Sequence, residues 1–217
     1  MRLALLVALV ALVGCSSAPP CDEPLDEPPG DIALIGSHVE PANVKLVHYV
    51  SFDMGPVHET LTGYMILRAP DALRIYGMSE TGQKAFEVSS LRGKVVRIYR
   101  APFMKDDRIL DLIVAAAEKI FLLRPGGREA RRAARGYEAS ERGVRYFWAG
   151  RELHLRWLQG EKFSACFMDW STESGVYAPR RIHFRSEEGP YPYELRMKLV
   201  DAKLLAAPAP DSLFAPE

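Results

Sequence analysis

The sequence predicts an α+β domain made mainly of antiparallel strands. Apolar and polar residues alternate with a period of two along many short segments, and Gly and Pro turns separate these segments. One stretch with helical periodicity interrupts them in the middle of the chain. Because the turns are short, consecutive strands should pair as hairpins, and the sheet must curve or be covered by a helix to bury its apolar face.

Ten segments show the strand pattern. The alternation is clearest near the C-terminus, where Tyr193, Leu195 and Met197 alternate with the charged residues Glu194 and Arg196. This pattern is typical of a sheet with one buried face and one solvated face. The predicted strands cover residues 44–52, 59–68, 72–78, 84–91, 94–100, 144–148, 152–156, 163–170, 181–185 and 193–199.

A helix is predicted over residues 106–122. Asp106 and Asp107 place negative charge at its start, where the helix dipole favours it, and the Pro-Gly-Gly segment at 125–127 ends it. Its apolar side recurs at helical spacing in Leu110, Ile113, Val114, Ala117, Ile120 and Phe121. Because it is inserted between strands, we expect this helix either to act as a lid over the apolar face or simply to close the core.

The first residues predict export. Arg2 precedes an apolar run over residues 3–13, and small residues then lead to Cys15. A charged start, a short apolar core and a small-residue cleavage site are typical of a secretory signal. The segment Leu12-Val13-Gly14-Cys15 resembles the lipobox of bacterial lipoproteins, which implies cleavage before Cys15 and acylation of that cysteine. The alternative is a plain secretory signal with a chance cysteine.

This N-terminus divides the chain into three predicted parts. Residues 1–14 form the lipoprotein signal peptide, residues 15–31 the lipidated Cys15 with a Pro-rich acidic tether, and residues 32–217 the folded domain. Acyl chains on Cys15 would anchor the protein to the membrane. Residue 16 is Ser rather than Asp, and in bacterial lipoproteins this implies sorting to the outer membrane rather than retention at the inner membrane. We therefore expect a lipid-anchored protein that faces the periplasm.

Composition excludes several classes of protein. The 28 Lys and Arg residues balance 28 Asp and Glu residues, so the chain lacks the basic excess of a nucleic-acid binder. With 48% hydrophobic residues it is not a disordered chain. No apolar run reaches the roughly 20 residues that a membrane-spanning helix needs. The length of 217 residues suits one domain with an N-terminal extension.

Two cysteines remain once Cys15 is assigned to lipidation. An oxidising compartment allows Cys21 and Cys166 to form a disulfide. Cys166 falls inside a predicted strand, where a buried free thiol is equally ordinary. The sequence leaves both alternatives open.

The order of strands and turns carries a resemblance to a known family. A strand with an early glycine, Gly63, leads to a turn at Pro70, a strand that bears Arg74 and a turn at Gly82, and residues 210–216 close the domain. This order resembles the LolA/LolB-like superfamily, most of all outer-membrane lipoproteins close to LolB, over most of residues 44–214. The resemblance implies a curved, half-open β-barrel with helices covering its concave apolar face. It also implies that this face binds acyl chains of lipoproteins or other lipids.

The sequence departs from the family pattern at two positions. The soluble carrier of the family has an arginine directly before the proline of the second-strand turn, where this chain has Ala69. Arg68 lies one residue earlier and should point to the opposite face of the strand. The turn at residues 79–82 is polar, whereas the membrane-anchored acceptor presents an exposed apolar residue in a protruding loop. We therefore transfer neither the role of that arginine nor an insertase activity.

Two sets of residues are candidates for binding. The first set consists of apolar strand residues that line either an acyl-chain cavity or an ordinary packed core: Met65, Leu67, Ile75, Phe86, Val88, Ile98, Trp148, Leu155, Trp157, Phe167, Ile182, Phe184, Leu195 and Met197. The second set consists of arginines that would meet anionic headgroups or an acidic partner, or else solvent: Arg128, Arg131, Arg132 and Arg135. On a helix, Arg128, either Arg131 or Arg132, and Arg135 would share one face.

No catalytic motif is present in the sequence. His58-Glu59 lacks a second histidine four residues on, and no phosphate-binding, dinucleotide-binding or nucleophile-elbow pattern occurs. His154 and His183 fall on polar strand faces. We therefore expect no enzyme activity, no cofactor and no metal. The predicted function is non-enzymatic handling of lipid or lipoprotein acyl chains. The alternative is an interaction or sensor module that binds a periplasmic protein through the Arg-rich segment.

Overall fold

The computed structural model of the chain describes residues 21, 28–31, 43–104, 107–123, 130–189 and 191–215. The predicted signal peptide, Cys15, Arg128 and most of the predicted tether lie outside the described residues. Within the described residues, the predicted class is confirmed: the chain forms one open antiparallel sheet with two short helices.

The sheet contains twelve strands. They run β1 Asn43–Met54, β2 Val57–Arg68, β3 Ala72–Ser79, β4 Lys84–Leu91, β5 Lys94–Arg100, β6 Arg131–Ala133, β7 Gly136–Glu141, β8 Val144–Ala149, β9 His154–Gln159, β10 Phe163–Glu173, β11 Val176–Ser186 and β12 Tyr193–Leu204. All ten predicted strands are present. β4 and β5 have the predicted bounds, and the long strands of hairpins extend by a few residues beyond the predictions.

Two meanders make up the sheet. Their spatial order is β5-β4-β3-β2-β1-β12-β11-β10-β9-β8-β7-β6, so every neighbouring pair is consecutive in sequence except β1 and β12. That pair joins the N-terminal meander to the C-terminal one over a register from Val44 opposite Leu204 to Met54 opposite Tyr193. β5 and β6 are the free edges, so the sheet is not closed into a barrel.

The predicted helix lies on the inner, apolar face of the sheet. α1 spans Asp107–Ala117 and continues as a π-helical turn, Glu118–Leu122. It buries Leu110, Val114 and Ile120 against inner-face residues from both meanders, in one large apolar cluster. No helix of the described residues is long and apolar enough to cross a membrane.

A second short helix, α2 (Asp211–Phe214), packs on the opposite, outer face. The ring of Phe214 is fully buried against Ala72, and the Arg68 guanidinium lies 5.1 Å from the centre of that ring. Arg68 also donates to the Ala209 carbonyl at 2.8 Å and pairs with Asp211 at 2.7 Å. Arg68 therefore points away from the inner face, as its strand position predicts, and fastens the C-terminus to β2 and β3.

The N-terminal segment contacts the domain at two points. Cys21 and Cys166 form a disulfide with their Cα atoms 5.7 Å apart, so of the two alternatives for these cysteines the structure has the pairing. Further along, the Gly30 N–H donates to the Gly150 carbonyl at 3.2 Å, and the Tyr137 hydroxyl donates to the Gly30 carbonyl at 3.4 Å. The predicted tether thus contacts the domain near Cys21 and Gly30.

The helical arrangement predicted for the Arg-rich segment is wrong. Arg131 and Arg132 lie on β6, and Arg135 lies in the two-residue turn between β6 and β7. Adjacent residues of a strand point to opposite faces, so Arg131 and Arg132 do not share one face. Pairing of Ala133 with Gly136 closes a tight hairpin, and ladder bonds to β7 override the helical spacing of the arginines.

We predict that loss of the disulfide destabilises the domain. Replacing Cys21 by Ala should lower the free energy of unfolding by about 2–5 kcal/mol, because the cross-link restricts the unfolded chain over a sequence separation of 145 residues. Urea unfolding of the chain from residue 16, which retains every described residue, measures this change. Cys166→Ala is the matched variant, and the double variant should lose little more than either single variant. Equal stability of Cys21→Ala and wild type would contradict the prediction.

Candidate functional site

A cavity of about 300 Å³ lies between the inner face of the sheet and α1. Its walls come from β12, β1, β2, β3 and β4, with the helix and the loop before it as a roof. The lining consists of His48, Val50, Phe52, Val57, Glu59, Leu61, Gly63, Met65, Ile75, Gly77, Ala85, Phe86, Phe103, Met104, Ile109, Ile113, Ala117, Ile120, Phe121, Leu195 and Met197. Apart from His48 and Glu59, every lining side chain is apolar or absent.

The strand register assembles the floor of the cavity. Phe52 of β1 stands between Glu59 of β2 and Leu195 of β12. Two residues back along β1, the neighbours are Leu61 and Met197. Because alternate residues of a strand share one face, these cross-strand rows place all their side chains on the inner face.

Two glycines provide part of the room. Gly63 of β2 pairs with Gly77 of β3, so two neighbouring positions on the inner face carry no side chain. A Cβ atom at Gly77 would lie 2.3 Å from the Phe86 ring, and one at Gly63 would lie 3.3 Å from Val50. The absence of side chains here lets the Phe86 ring lie against the β3 backbone and keeps the space above both strands free.

Polar contacts hold the start of the helix against both meanders. Arg97 on β5 forms a two-atom ion pair with Asp111, at 2.6 and 2.7 Å. On the other side, the Tyr193 hydroxyl of β12 donates to the Leu112 carbonyl at 3.4 Å. The helix therefore spans the inner face from the β5 edge to β12.

The end of the helix is held in the same way. The Ser90 hydroxyl of β4 donates to the Glu118 carboxylate. Lys119 forms an ion pair with Glu188 in the loop between β11 and β12 and lies 4.5 Å from the centre of the Phe163 ring. The π-helical turn therefore closes the inner end of the cavity, where it contributes Ile120 and Phe121.

His48 is the one polar side chain deep in the cavity. It is 3% exposed, its ring lies 5.9 Å from the centre of the Phe121 ring, and it stands opposite Gly63 on one side and Leu199 on the other. No described residue forms a hydrogen bond with its ring nitrogens. Burial lowers the pKa of His48 to about 4, so the imidazole is neutral at pH 7.

The opposite end of the cavity opens to solvent. Glu59 and Phe103 line it and are exposed, Phe103 to 55%. Val57 and Leu61 there are half-buried. One polar carboxylate thus marks the opening, and the neutral His48 marks the closed end.

The structure brings five of the predicted apolar candidates to this cavity: Met65, Ile75, Phe86, Leu195 and Met197. Seven others lie in the packed core that adjoins it: Leu67, Val88, Trp148, Leu155, Phe167, Ile182 and Phe184. Trp157 lies on the outer face in a small cluster with Phe147 and Cys21, because a bulge in β9 leaves Arg156 between the pairs Phe147–Trp157 and Trp148–Leu155. Ile98 is half-buried on the edge strand β5.

The remaining predicted residues lie elsewhere. Arg131, Arg132 and Arg135 are exposed at the β6 edge, away from the cavity. His154 is half-buried and stacks on Trp170, and β10 separates its strand from that of His183. In the described part of the chain, no group of three or more His, Cys, Asp or Glu residues is placed to hold a metal ion.

The sequence analysis did not identify several residues that line the cavity. His48, Val50 and Phe52 lie within a correctly predicted strand, yet none was a candidate. The available signal was a histidine in phase with the apolar positions Leu46, Val50 and Phe52, since such a residue must point inward. No sequence pattern predicts that Gly63 pairs with Gly77, because this pairing depends on the register between two strands.

A second depression, of about 460 Å³, lies between the β9–β10 turn and the loop before β12. It is broadly open to solvent and carries charges of both signs. Arg185 in its wall pairs with Glu194 at 3.0 Å, and Glu194 also accepts from His183 at 3.1 Å. Because this depression encloses little, the apolar cavity is the better candidate site.

Comparison with solved structures identifies the fold. A LolA superfamily protein from Nitrosomonas europaea matches 84% of this chain and 96% of its own length, with a TM-score of 0.54 and 8% identity. A domain described as that of an outer membrane lipoprotein-sorting protein from Vibrio parahaemolyticus matches 83% of this chain and 94% of its own, with a TM-score of 0.50 and 6% identity. The chain has the LolA/LolB-like fold. No sequence family model and no curated protein matches it.

The resemblance inferred from the sequence is therefore confirmed at the level of the fold. In this LolA/LolB-like chain α1 covers the inner face, as the resemblance implies, whereas α2 covers the outer face. The cavity lies at the seam of the two meanders and under α1.

We predict that His48 makes the stability of this LolA/LolB-like domain depend on pH between 6.5 and 4. The unfolded state binds a proton at the ordinary pKa of 6.5, whereas the folded state resists protonation down to about 4. The contribution is therefore fully present above pH 6.5 and is lost as the pH falls, by up to about 3 kcal/mol.

The non-titrating variant His48→Gln is the matched control for this prediction. Urea unfolding of both proteins between pH 4 and 7.5 should show a steeper loss of stability for wild type, since the carboxylates titrate alike in both. Parallel pH profiles for the two proteins would contradict a buried neutral His48.

Proposed function

We propose that this chain is a membrane-anchored, non-enzymatic lipoprotein that holds an acyl chain of a lipid or lipoprotein in the cavity beneath α1, as part of lipid or lipoprotein traffic to the outer membrane. The observation that carries the proposal is a partly enclosed, almost wholly apolar cavity that opens to solvent at one end. Protein cores are normally filled to the density of organic crystals, so a space of this size in a core calls for an occupant.

The chemistry of the lining favours an apolar chain. Aliphatic and aromatic side chains from five strands and the helix surround the space. Met65, Met104 and Met197 line it, and methionine adapts to irregular apolar ligands because it is unbranched and polarizable. Each buried methylene of a ligand contributes about 0.8 kcal/mol.

The dimensions favour one chain rather than a whole lipid. Ligand pockets commonly range from about 300 to 1,000 Å³, and this cavity lies at the lower end of that range. We propose that the headgroup or the rest of the lipidated partner stays outside, near Glu59 and Phe103. One matched structure is described as a LolA superfamily protein and the other as a domain of an outer membrane lipoprotein-sorting protein, and both support this proposal through the fold alone.

Anchoring at the outer membrane rests on the N-terminal sequence. Cys15 follows the apolar segment directly, and Ser16 follows Cys15. The disulfide at Cys21 leaves five residues between that cysteine and Cys15. At about 3.3–3.6 Å per residue, the lipidated residue would hold the β10 region within roughly 20 Å of the membrane surface.

A second function is favoured by the exposed arginines at the β6 edge. Arg131, Arg132 and Arg135 present three guanidinium groups on one short hairpin, far from the cavity. An interaction module would use them to bind an acidic periplasmic partner. A protein that takes up no acyl chain, but loses a captured partner when Arg131 and Arg132 are changed to Glu, would favour this second function.

We predict that Leu61→Trp reduces acyl-chain uptake at least tenfold. Leu61 lines the half-buried opening, and an indole there fills space that a chain would cross. Binding of a fluorescent fatty acid to the chain from residue 16 measures the change.

The matched control is Leu204→Trp, which adds the same side chain at a position that is 45% exposed and outside the cavity. Leu204→Trp should bind as wild type does. If wild type takes up no fatty acid, or if Leu61→Trp binds unchanged, the cavity is not an acyl-chain site.

We predict that Cys15 carries the membrane anchor. In cells fed a clickable palmitate analogue, wild type should be labelled and found with the outer membrane. Cys15→Ala should remain unprocessed and unlabelled, because the acceptor thiol is gone. Cys21→Ala is the matched cysteine control and should still be labelled. Labelling of Cys15→Ala would show that the anchor lies elsewhere.

A further inference from the structure

His48 is not explained by a plain hydrocarbon ligand. His48 lines the cavity and is 3% exposed, and no hydrogen bond between described residues involves its ring nitrogens. Its neighbours on the inner face are Val50 and Leu46 of the same strand and Phe121 of the helix. The imidazole therefore faces the cavity with its hydrogen-bonding capacity unused by the protein.

The protonation state limits what this group can recognise. A neutral imidazole offers one N–H donor and one nitrogen acceptor, and burial keeps His48 neutral at pH 7. A hydroxyl group both donates and accepts, so it complements a neutral imidazole in either tautomer. A carboxylate at this depth would be buried without a positive partner, since Glu59 is the only other ionisable group among the described lining residues.

The position of His48 limits where the polar group sits on the ligand. His48 stands opposite Gly63, four residues along β2 from Glu59 at the opening. At about 3.3 Å per residue, this places the imidazole roughly 13 Å inside the cavity. A ligand group that reaches His48 is therefore carried along or near the end of an apolar chain, and the headgroup remains at the opening.

We propose that the cavity selects an acyl chain that carries a hydroxyl group within its hydrocarbon length, and that His48 is the residue that recognises this hydroxyl. The inference rests on the proposed function, because it requires that an acyl chain occupies the cavity. It adds a specificity that the apolar lining alone does not provide: a site built to hydrogen-bond a hydroxyl discriminates against the chain that lacks it.

The test compares stearate with hydroxystearates that carry the hydroxyl next to the carboxylate, in mid-chain or near the methyl end. Their affinities for the chain from residue 16 are measured by displacement of a fluorescent fatty acid. We expect one of the isomers with the hydroxyl in mid-chain or near the methyl end to bind about tenfold tighter than stearate. A gain of this size is typical of one buried hydrogen bond that replaces an unsatisfied group. Hydroxylation next to the carboxylate should give no gain, because that group stays near Glu59.

Two variants assign the preference to His48. His48→Leu should lose the preference for the hydroxylated isomer over stearate. His48→Gln retains a donor and an acceptor and should keep part of the preference. Because stearate binding reports a folded cavity in each variant, loss of selectivity is separated from loss of structure. The affinities of the methyl esters of the same acids show whether the site prefers a free acid or an acyl group of a larger lipid. The acyl group of a larger lipid, like the ester, carries no carboxylate at the opening.

Equal affinity of wild type for stearate and every hydroxystearate would overturn this inference and leave the proposed function standing. A preference that survives in His48→Leu would overturn the role of His48. Failure of wild type to bind stearate and all its derivatives would overturn the proposed function itself.

Discussion

The pairing of β1 with β12 is the constraint on which the rest of the structure depends. Every other strand pair joins neighbours in sequence, so each can form as a local hairpin. β1 and β12 are separated by almost the whole domain, and their pairing must overcome the loop-closure entropy of the chain between them. Once formed, it sets Phe52 beside Leu195 and Val50 beside Met197, and so creates the continuous wall on which the cavity rests.

The helix then decides how much of that wall remains unfilled. Ion pairs and hydrogen bonds at both ends hold it against β4, β5 and the loop before β12, so it spans the inner face without collapsing onto it. Gly63 and Gly77 remove two side chains from the wall below. In a core optimised only for stability, side chains would fill this space and position 48 would carry an aliphatic residue. The unfilled space and the buried imidazole both lower the free energy of unfolding. A bound acyl chain would offset this loss of stability.

Contacts on the outer face of the sheet attach the segments near the two ends of the chain. Arg68 and Phe214 fasten the C-terminus across β2 and β3, and the disulfide fastens the N-terminal segment to β10. Cys21 and α2 therefore attach on the side of the sheet away from the cavity. This arrangement leaves the opening near Glu59 and Phe103 clear of the described terminal segments. Arg68 points outward as well, as its position on β2 predicts.

Much of this protein can be read from the sequence because alternation, turns and helical spacing are local properties. They predicted ten strands, the inserted helix and the antiparallel class, and the order of turns pointed to the fold family. β6 and β7 were missed because their pattern is short and the arginines mimic a helix, which only pairing with a neighbouring strand overrides.

The tertiary structure alone decided which inward residues border empty space and which are packed. Met65 lines the cavity whereas Leu67, two residues on along the same face, is packed in the core. The alternation of apolar and polar residues predicts the same environment for both, because it indicates only which face of the strand a residue lies on. The difference arises from what lies above each residue, which depends on the register of Gly63 with Gly77 and on the path of the helix. The same holds for Cys21 and Cys166: the sequence supplied both thiols, and the position of the N-terminal segment on the outer face of β10 brought them together.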